Sequence, residues 1–452
     1  MIKNYLSNLF QKNLFAFALL FTIIIINSSF SQWYALGTGT NNSVDASIVY
    51  NGELIIGGDF TSAGGVGANR IAKWNGAYWS ALGLGTNGSV SAFCIFNGEL
   101  IVAGNFTQVG GVSATRIAKW NGANWLLFGS NNGFNDEVLA LAVYNNELYA
   151  AGRFTSSGST NVSRVASWNG TSWQALGLGV NEHVHSVAVY NNELVVGGAF
   201  TSAGGIGANR IAKWNGSAWS NLGLGMNDEV YSLALAAGEL YVGGIFTQVG
   251  GVAVNRIAKW TGSWSNLGTG MNGSVSALFN NGGQVLAGGN FTSAGGISAN
   301  RIARWNGSSW FALSTGMDNG VSTICVYNTL PYAGGSFMMA GNNPANRIAR
   351  WGSTTNIQQI NSSVPDDYKL YQNYPNPFNP STKIKFDLKK SGLIKIRVFD
   401  MLGREVALLV NEQLSEGTYE LTYDANNLSA GVYYYELRSD GFVETKKMIL
   451  AK

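Results

Sequence analysis

Three positions about 46 residues apart in this chain carry paired polar residues whose types could do chemistry. Each pair precedes a strand-like run that starts with Val, and that Val is followed by Leu139, His185 or Tyr231 where other copies carry Ser or Asp45. The candidate ligand-binding residues are Asp136, Glu137, Glu182, His183, His185, Asp228, Glu229 and Tyr231. Carboxylates and aromatic rings in one sector suit sugar hydroxyls, a cationic group or calcium. The alternative interpretation is solvated loop charge that varies between repeats.

Paired carboxylates could also hydrolyse a glycosidic bond, because two acids flank the scissile bond in that reaction. Glu182, Asp228 and Glu229 would be the acids used. Elsewhere the sequence shows no combination of a nucleophile, a base and an orienting group. We therefore predict a non-catalytic binding module, and a secreted carbohydrate-active enzyme is the alternative.

Metal and cofactor chemistry find little support in the sequence. His183 and His185 are the only histidines, and a zinc or copper site needs several convergent N or S ligands. Glycine-rich segments such as 63–69 lack the lysine and the following helix of a phosphate-binding loop. We predict no metal and no cofactor.

The candidate residues lie within a sequence unit that is repeated seven times, so the fold of this unit must position them. The segment from Arg70 to Trp74 returns, lightly changed, with its arginine at 116, 164, 210, 256, 301 and 347. A period of about 46 residues is typical of propeller blades. Asn-Gly pairs such as Asn97-Gly98 separate strand-length runs and favour two-residue hairpins. The predicted fold is all-β, with a seven-bladed β-propeller over residues 33–351.

The two ends of the repeat array complement each other. The first copy contributes the run from Trp33 to Gly37 with nothing before it, whereas the last copy ends at Trp351 without that run. We expect the N-terminal strand to complete the last blade and so remove the open sheet edges.

Glycine doublets such as Gly57-Gly58, followed by two tryptophans such as Trp74 and Trp79, resemble the kelch repeat. The resemblance implies that the run 90–96 and its counterparts are innermost. The loops before these runs, which carry the acidic candidates, would then lie on the usual ligand face. Kelch-type propellers serve as enzymes, adhesins and scaffolds alike, so the likeness does not choose an activity.

The charge pattern and the N-terminus restrict the partners. Formal charge is only +3, and no basic face is visible, so nucleic acid is not expected. Residues 1–32 have the features of a signal peptide, since lysines precede an apolar run over residues 14–26. This run is too short to span a membrane. Membrane contact is expected only through export or surface attachment.

Cys94 and Cys325 occupy equivalent positions in repeats that lie two blades apart, which is too far for a disulfide.

The chain changes character after the repeats. Residues 352–367 are polar and are predicted to be a linker. Alternating apolar runs between 383 and 450 then predict a small immunoglobulin-like β-sandwich in the last domain, 368–452.

Four motifs in this last domain occur in a fixed order. Their residues include Pro375, Asn376, Pro377, Asp400, Gly403, Arg404, Gly431, Tyr433, Lys446 and Lys447. The set resembles the type A sorting domain of the type IX secretion system. The resemblance implies a secreted or outer-cell-surface protein that engages the type IX secretion machinery. In that family the domain is usually removed after export, often with attachment to surface lipopolysaccharide. We expect a monomeric propeller that binds an extracellular glycan or a surface protein.

Overall fold

The computed structural model describes residues 32–76, 78–129, 133–352, 358–425, 428–439 and 441–451. Every regular element in these ranges is a β-strand. The predicted signal peptide lies, apart from Gln32, outside the described residues. Within the described ranges no helix is long and apolar enough to cross a membrane.

The repeats form seven four-stranded antiparallel sheets among the described residues. We number these repeat sheets 1 to 7 by their inner strands, Val44–Tyr50, Val90–Phe96, Val138–Tyr144, Val184–Tyr190, Val230–Ala236, Val275–Asn281 and Val321–Tyr327. The second strands are Glu53–Gly58, Glu99–Gly104, Glu147–Gly152, Glu193–Gly198, Glu239–Gly244, Gln284–Gly289 and Leu330–Gly335. The third strands are Ile71–Trp74, Ile117–Trp120, Val165–Trp168, Ile211–Trp214, Ile257–Trp260, Ile302–Trp305 and Ile348–Gly352. The outer strands are Trp79–Ala81, Trp125–Leu126, Trp173–Ala175, Trp219–Asn221, Trp264–Asn266, Trp310–Ala312 and, for repeat sheet 7, Gln32–Ala35.

Local turn chemistry fixes the pairing within each sheet. Between the first two strands of repeat sheet 1, Asn51 and Gly52 have φ angles of 49° and 76°. Positive φ at both positions is the requirement of a tight hairpin turn. At the other end of the second strand, a Cβ on Gly58 would lie 2.1 Å from the carbonyl oxygen of Ser43, so only glycine fits there. The Asn-Gly pair therefore forms the hairpin turn, and the Gly-Gly pair allows the close contact between the first two strands.

The seven inner strands contact one another in a closed ring, in which the strand of repeat sheet 7 contacts that of repeat sheet 1. The core lies between adjacent sheets. Tyr50 and Ile55 of repeat sheet 1, for example, share a buried cluster with Leu100 and Val102 of repeat sheet 2. This arrangement is a β-propeller, in which each sheet buries its faces against its neighbours.

The strand Gln32–Ala35 lies in the sheet of the last repeat, where Trp33 pairs with Trp351. Their ring centroids are 5.2 Å apart. Trp33 is fully buried, and its indole N–H donates to the carbonyl of Leu313 at 3.1 Å. This is the pairing expected from the two incomplete ends of the array.

Seven small hairpins connect second and third strands. Their strand pairs are Ser62–Ala63 with Val66–Gly67, Gln108–Val109 with Val112–Ser113, Ser156–Ser157 with Thr160–Asn161, Ser202–Ala203 with Ile206–Gly207, Gln248–Val249 with Val252–Ala253, Ser293–Ala294 with Ile297–Ser298, and Met339–Ala340 with Asn343–Pro344. Bridges such as Thr40 to Ala63 tie each hairpin to the loop that enters the inner strand. These hairpins therefore brace the loops that carry the candidate residues.

The C-terminal region forms two four-stranded antiparallel sheets within the described ranges. In sheet order, one contains Gln358–Asn361, Gly417–Asp424, Ser381–Leu388 and Lys369–Leu370, and the other contains Glu405–Leu414, Gly392–Phe399, Gly431–Ser439 and Phe442–Leu450. Residues of both sheets, including Phe386 and Tyr435, share one buried core. The strand Gln358–Asn361 falls inside the segment predicted to be a linker, and it pairs with residues 418–420.

The two cysteines are separate thiols. Cys325 is buried, whereas Cys94 is half-buried. Burial raises the pKa of Cys94 to about 11, so its thiol is protonated near neutral pH.

Candidate functional site

Each inner strand contains a β-bulge at its second residue, where the register with the second strand shifts. The bulge residues are Asp45, Ser91, Leu139, His185, Tyr231, Ser276 and Ser322. A bulge leaves its residue unpaired and re-aims the side chain, and bulges are frequent next to functional sites. Because the inner strands form a ring, the seven bulge residues lie at one end of it. We call this end the mouth.

Glu137 is the first acidic group held at the mouth. It precedes the inner strand of repeat sheet 3, and its Oε1 accepts a hydrogen bond from Ser91 Oγ of repeat sheet 2 at 3.0 Å. Arg153, which follows the second strand of repeat sheet 3, brings Nε within 3.4 Å of Glu137 Oε2. The carboxylate is therefore fixed by two neighbours that the repeat unit brings together.

His185 and Glu229 form the second group. His185 Nε2 lies 3.0 Å from Glu229 Oε2 of the next repeat sheet. The ring of Tyr231 meets the imidazole edge to face, with centroids 5.3 Å apart. Burial lowers the pKa of His185, although Glu229 opposes the shift, and burial together with Glu229 raises the pKa of Tyr231. The imidazole is consequently held as a neutral, oriented hydrogen-bonding group near neutral pH.

Asp45 is a third titratable group at the mouth. It accepts a hydrogen bond from Ser43 Oγ at 3.0 Å. Burial raises its pKa to about 6, and the nearby carboxylates of Asp59 and Glu137 add to the rise. Asp45 is a carboxyl group that can carry a proton close to neutral pH.

The structure separates the predicted residues into two sets. Glu137, His185, Glu229 and Tyr231 interact at the mouth, whereas three acids are engaged by their own turns. Asp136, Glu182 and Asp228 accept the backbone N–H of the following residue at 2.7, 3.2 and 2.8 Å. Asp136 and Glu182 are exposed, and Glu182 also lies 3.3 Å from His183 Nε2. Asp136 and Asp228 shape their own loops, whereas Glu182 also lies 3.9 Å from Arg164 Nη2 of the preceding repeat.

The prediction from sequence did not include Asp45, Ser91 or Arg153. A signal was present, because Asp45 and Ser91 stand at the same repeat position as His185 and Tyr231. Arg153 stands where the other repeats carry Asp59, Asn105, Ala199, Ile245, Asn290 or Ser336, and it is the only cation at that position. Comparing every repeat position at the mouth would have found all three.

Metal coordination gains no support at the mouth. Among the described residues, no three His, Cys, Asp or Glu side chains converge in a way that could hold a metal ion. The geometry instead offers fixed carboxylates, one guanidinium, a neutral imidazole and a phenol. Such groups bind polar ligands by hydrogen bonds and an aromatic contact.

The motif residues of the C-terminal domain take local structural roles. Asp400 accepts the backbone N–H of Leu402 and Arg404 and lies 2.7 Å from Arg404 Nε, while Gly403 has a φ of 76°. Pro375 and Pro377 follow cis peptide bonds. The amide oxygen of Asn376 accepts from the N–H of Ile449 at 2.9 Å.

The remaining motif residues lie on the last two strands. Gly431 begins the strand Gly431–Ser439, and the Tyr433 hydroxyl donates to the carbonyl of Ser429 at 2.8 Å. Lys446 and Lys447 lie on the final strand, opposite Tyr435 and Tyr434.

Comparison with known families separates the two regions of the chain. Residues 372–451 match the secretion system C-terminal sorting domain. Residues 51–75, 97–121 and 283–308 match a β-propeller family described as a domain of unknown function (DUF5122). No curated protein sequence matches this chain.

Solved structures that are similar to the chain include the following two. One is PorZ, described as an essential bacterial surface component of the type IX secretion system of Porphyromonas gingivalis, with 13% identity and a TM-score of 0.37. The similarity covers 89% of this chain and 64% of PorZ, so the chain spans less than two thirds of that protein. The other is a mutant alpha-2-macroglobulin of Salmonella, with 9% identity, a TM-score of 0.17 and coverage of 92% and 26%.

The family matches establish the class of the protein. It is a β-propeller protein with a C-terminal sorting domain of the type IX secretion system. The sorting domain marks a protein exported to the cell surface or the extracellular space, which confirms the predicted localisation.

Proposed function

We propose that residues 33–351 form a seven-bladed, kelch-like propeller that acts outside the cell as a non-catalytic binding module. Its ligand is an extracellular glycan, bound at the mouth. The domain 368–452, an immunoglobulin-like sandwich, directs passage through the type IX machinery, after a signal peptide at 1–32 has directed the first export step. The segment 352–367 connects the domains, and the propeller works as a monomer.

One observation carries the binding proposal: carboxylates from two neighbouring parts of the ring are held in fixed positions at the mouth. Glu137 is fixed by Ser91 and Arg153, and Glu229 is fixed by His185. Preorganised acceptors and donors lose little freedom when they bind sugar hydroxyls. Tyr231 supplies an aromatic surface beside them.

A glycan panel tests the proposal with full-length protein. Glu137→Gln and Glu229→Gln should each weaken glycan binding by about tenfold or more, because each removes a charged hydrogen-bond acceptor. Asp136→Asn is the matched control, since Asp136 is exposed and accepts only its own turn N–H among the interactions described. Equal binding by all four proteins would overturn the assignment of the mouth.

A carbohydrate-active enzyme is the second candidate, and the raised pKa of Asp45 favours it. The Asp45 carboxyl group has a pKa of about 6 and is close enough to Glu137 for that carboxylate to contribute to the rise. Two such carboxyl groups have the properties of a general acid and a general base. Asp45→Asn would then retain glycan binding and abolish the release of shortened products. Binding without any product in the wild-type protein supports the binding module.

A further inference from the structure

A second set of departures from the repeat converges on a groove between repeat sheets 2 and 3. The groove lies at the end of the inner strands opposite the mouth and has a volume of about 520 Å³. Its lining includes Phe96, Phe128, Trp168 and Glu147. The paired side chains of Glu99 and Lys119 also line it. The corresponding groove between repeat sheets 1 and 2 measures only about 90 Å³. The groove between repeat sheets 2 and 3 is therefore much larger than its counterpart between repeat sheets 1 and 2, and its volume falls in the range of small-molecule sites.

Two differences from repeat sheet 1 accompany this larger groove. In repeat sheet 1 the Tyr50 hydroxyl donates across the sheet boundary to the carbonyl of Gly98 at 3.2 Å, and Tyr144 donates in the same way to Asn192 at 2.8 Å. Phe96 occupies that position in repeat sheet 2 and has no hydroxyl to donate. The outer strand Trp125–Leu126 is also one residue shorter than Trp79–Ala81, which leaves Leu127 41% exposed.

A further substitution removes the lysine that pairs with the second-strand glutamate in other repeats. Four repeat sheets pair a glutamate of the second strand with a lysine of the third strand. These pairs are Glu53 with Lys73, Glu99 with Lys119, Glu193 with Lys213 and Glu239 with Lys259, at 2.7 to 2.8 Å. Repeat sheet 3 keeps Glu147 but has Ser167 at the lysine position, opposite Tyr149. Serine has no charge with which to neutralise Glu147.

Repeat sheet 5 shows where a cation would bind. There Glu239 uses both oxygens: Oε1 lies 2.7 Å from Lys259 Nζ, and Oε2 accepts the Tyr241 hydroxyl at 2.7 Å. In repeat sheet 3, Glu147 Oε2 likewise accepts the Tyr149 hydroxyl, at 3.1 Å. Its other oxygen corresponds to the one that holds lysine in repeat sheet 5, and Glu147 lines the groove.

The aromatic walls favour the same kind of ligand as the carboxylate does. Phe128 and Trp168 meet edge to face with centroids 5.1 Å apart, and Phe96 lies along the same groove. Ammonium and guanidinium groups are attracted to aromatic faces and form strong charge-assisted hydrogen bonds to carboxylates. An apolar stem joined to such a group would bury its methylenes on the rings.

We propose that this groove is a binding site for a small organic cation, an ammonium or guanidinium group on a short aliphatic stem. The cationic group takes the place of the missing lysine on Glu147, and the stem lies against the aromatic wall. The site is separate from the mouth and does not depend on the function proposed there.

Calorimetric titration of the full-length protein with agmatine and with cadaverine tests the proposal. We expect saturable binding, about tenfold or more weaker in Glu147→Gln because the charged acceptor is lost. Ser167→Lys restores the ion pair of the repeat and should abolish binding while the protein remains folded. Glu193→Gln is the matched control, since Glu193 belongs to repeat sheet 4 and lies outside the groove.

1,5-Pentanediol and glutarate are the ligand controls for cadaverine, because they keep a stem of similar length and replace both ammonium groups by neutral or anionic groups. The proposal is overturned if the wild-type protein binds neither amine, if Ser167→Lys binds them as tightly as the wild type, or if 1,5-pentanediol binds as tightly as cadaverine.

Discussion

Replacing Asp45 by asparagine should stabilise the propeller at neutral pH and leave its stability nearly unchanged in acid. Asp45 is half-buried at the mouth, and its pKa rises from the ordinary value of 3.8 to about 6, first through burial and then through Asp59 and Glu137. Between these two values the folded protein holds a proton that the unfolded chain has released. The contribution of Asp45 to stability is therefore full below about pH 4 and is lost as the pH rises through 6.

The size of the effect follows from the shift. At 1.36 kcal/mol per pH unit, a rise from 3.8 to about 6 corresponds to about 3 kcal/mol as an upper limit. Since the side chain retains some contact with solvent, screening reduces this to an expected gain of about 1–2 kcal/mol for Asp45→Asn at about pH 8. Asparagine keeps an oxygen that can accept the hydrogen bond of Ser43 and has a similar shape.

Equilibrium unfolding in guanidinium chloride, followed by tryptophan fluorescence, measures this gain. All 14 tryptophans lie between Trp33 and Trp351, so their emission reports on the repeats and not on the C-terminal domain. The difference between variant and wild type should be about 1–2 kcal/mol at pH 8 and near zero at about pH 4. A variant that is destabilised at pH 8, or equally stabilised at both pH values, would refute the assigned environment of Asp45.

Two further predictions concern the closure of the ring and the C-terminal core. Trp33→Ala should cost about 3–5 kcal/mol of unfolding free energy in the same fluorescence assay, because its indole is buried and hydrogen-bonded. Trp310→Ala should cost a similar amount for the same reason. A loss below about 1 kcal/mol for Trp33→Ala would contradict closure of the ring by the N-terminal strand. Tyr435→Phe should cost about 1–3 kcal/mol, because its hydroxyl accepts the N–H of Asn373 at 2.7 Å and donates to Tyr371 at 2.8 Å. Amide hydrogen exchange across residues 369–450 would report the loss, and the half-exposed Tyr434→Phe should show little change.

Several features of the fold were readable from the sequence because they depend on local chemistry. The Asn-Gly pairs predicted the hairpin turns, and the strand-length runs between them became the strands, as in Val90–Phe96 and Glu99–Gly104. The incomplete ends of the array predicted the pairing of Trp33 with Trp351. The strand Gln358–Asn361 was missed, because a short polar edge strand lacks the alternation that marks a half-buried strand.

The candidate site was predictable only in part. Acidic residues that depart from the repeat were the candidates, and in the sequence Asp136, Glu182 and Asp228 carried the same weight as Glu137 and Glu229. In the pair Asp136 and Glu137, for example, the Asp136 carboxylate accepts a backbone N–H of its own turn, whereas the Glu137 carboxylate reaches Ser91 of the neighbouring sheet. That distinction depends on the orientation of each loop against the next repeat.

The repeat period, the turns, the order of the strands and the sorting motifs can be read from the amino-acid sequence, because each is encoded in short stretches of consecutive residues. The contacts between side chains of different repeats depend instead on how the sheets pack. Ser91 reaches Glu137 and His185 reaches Glu229 across the boundary between sheets, from positions 46 and 44 residues apart. The packing of neighbouring sheets and the bulge in each inner strand set these contacts, and neither property belongs to a single stretch of sequence.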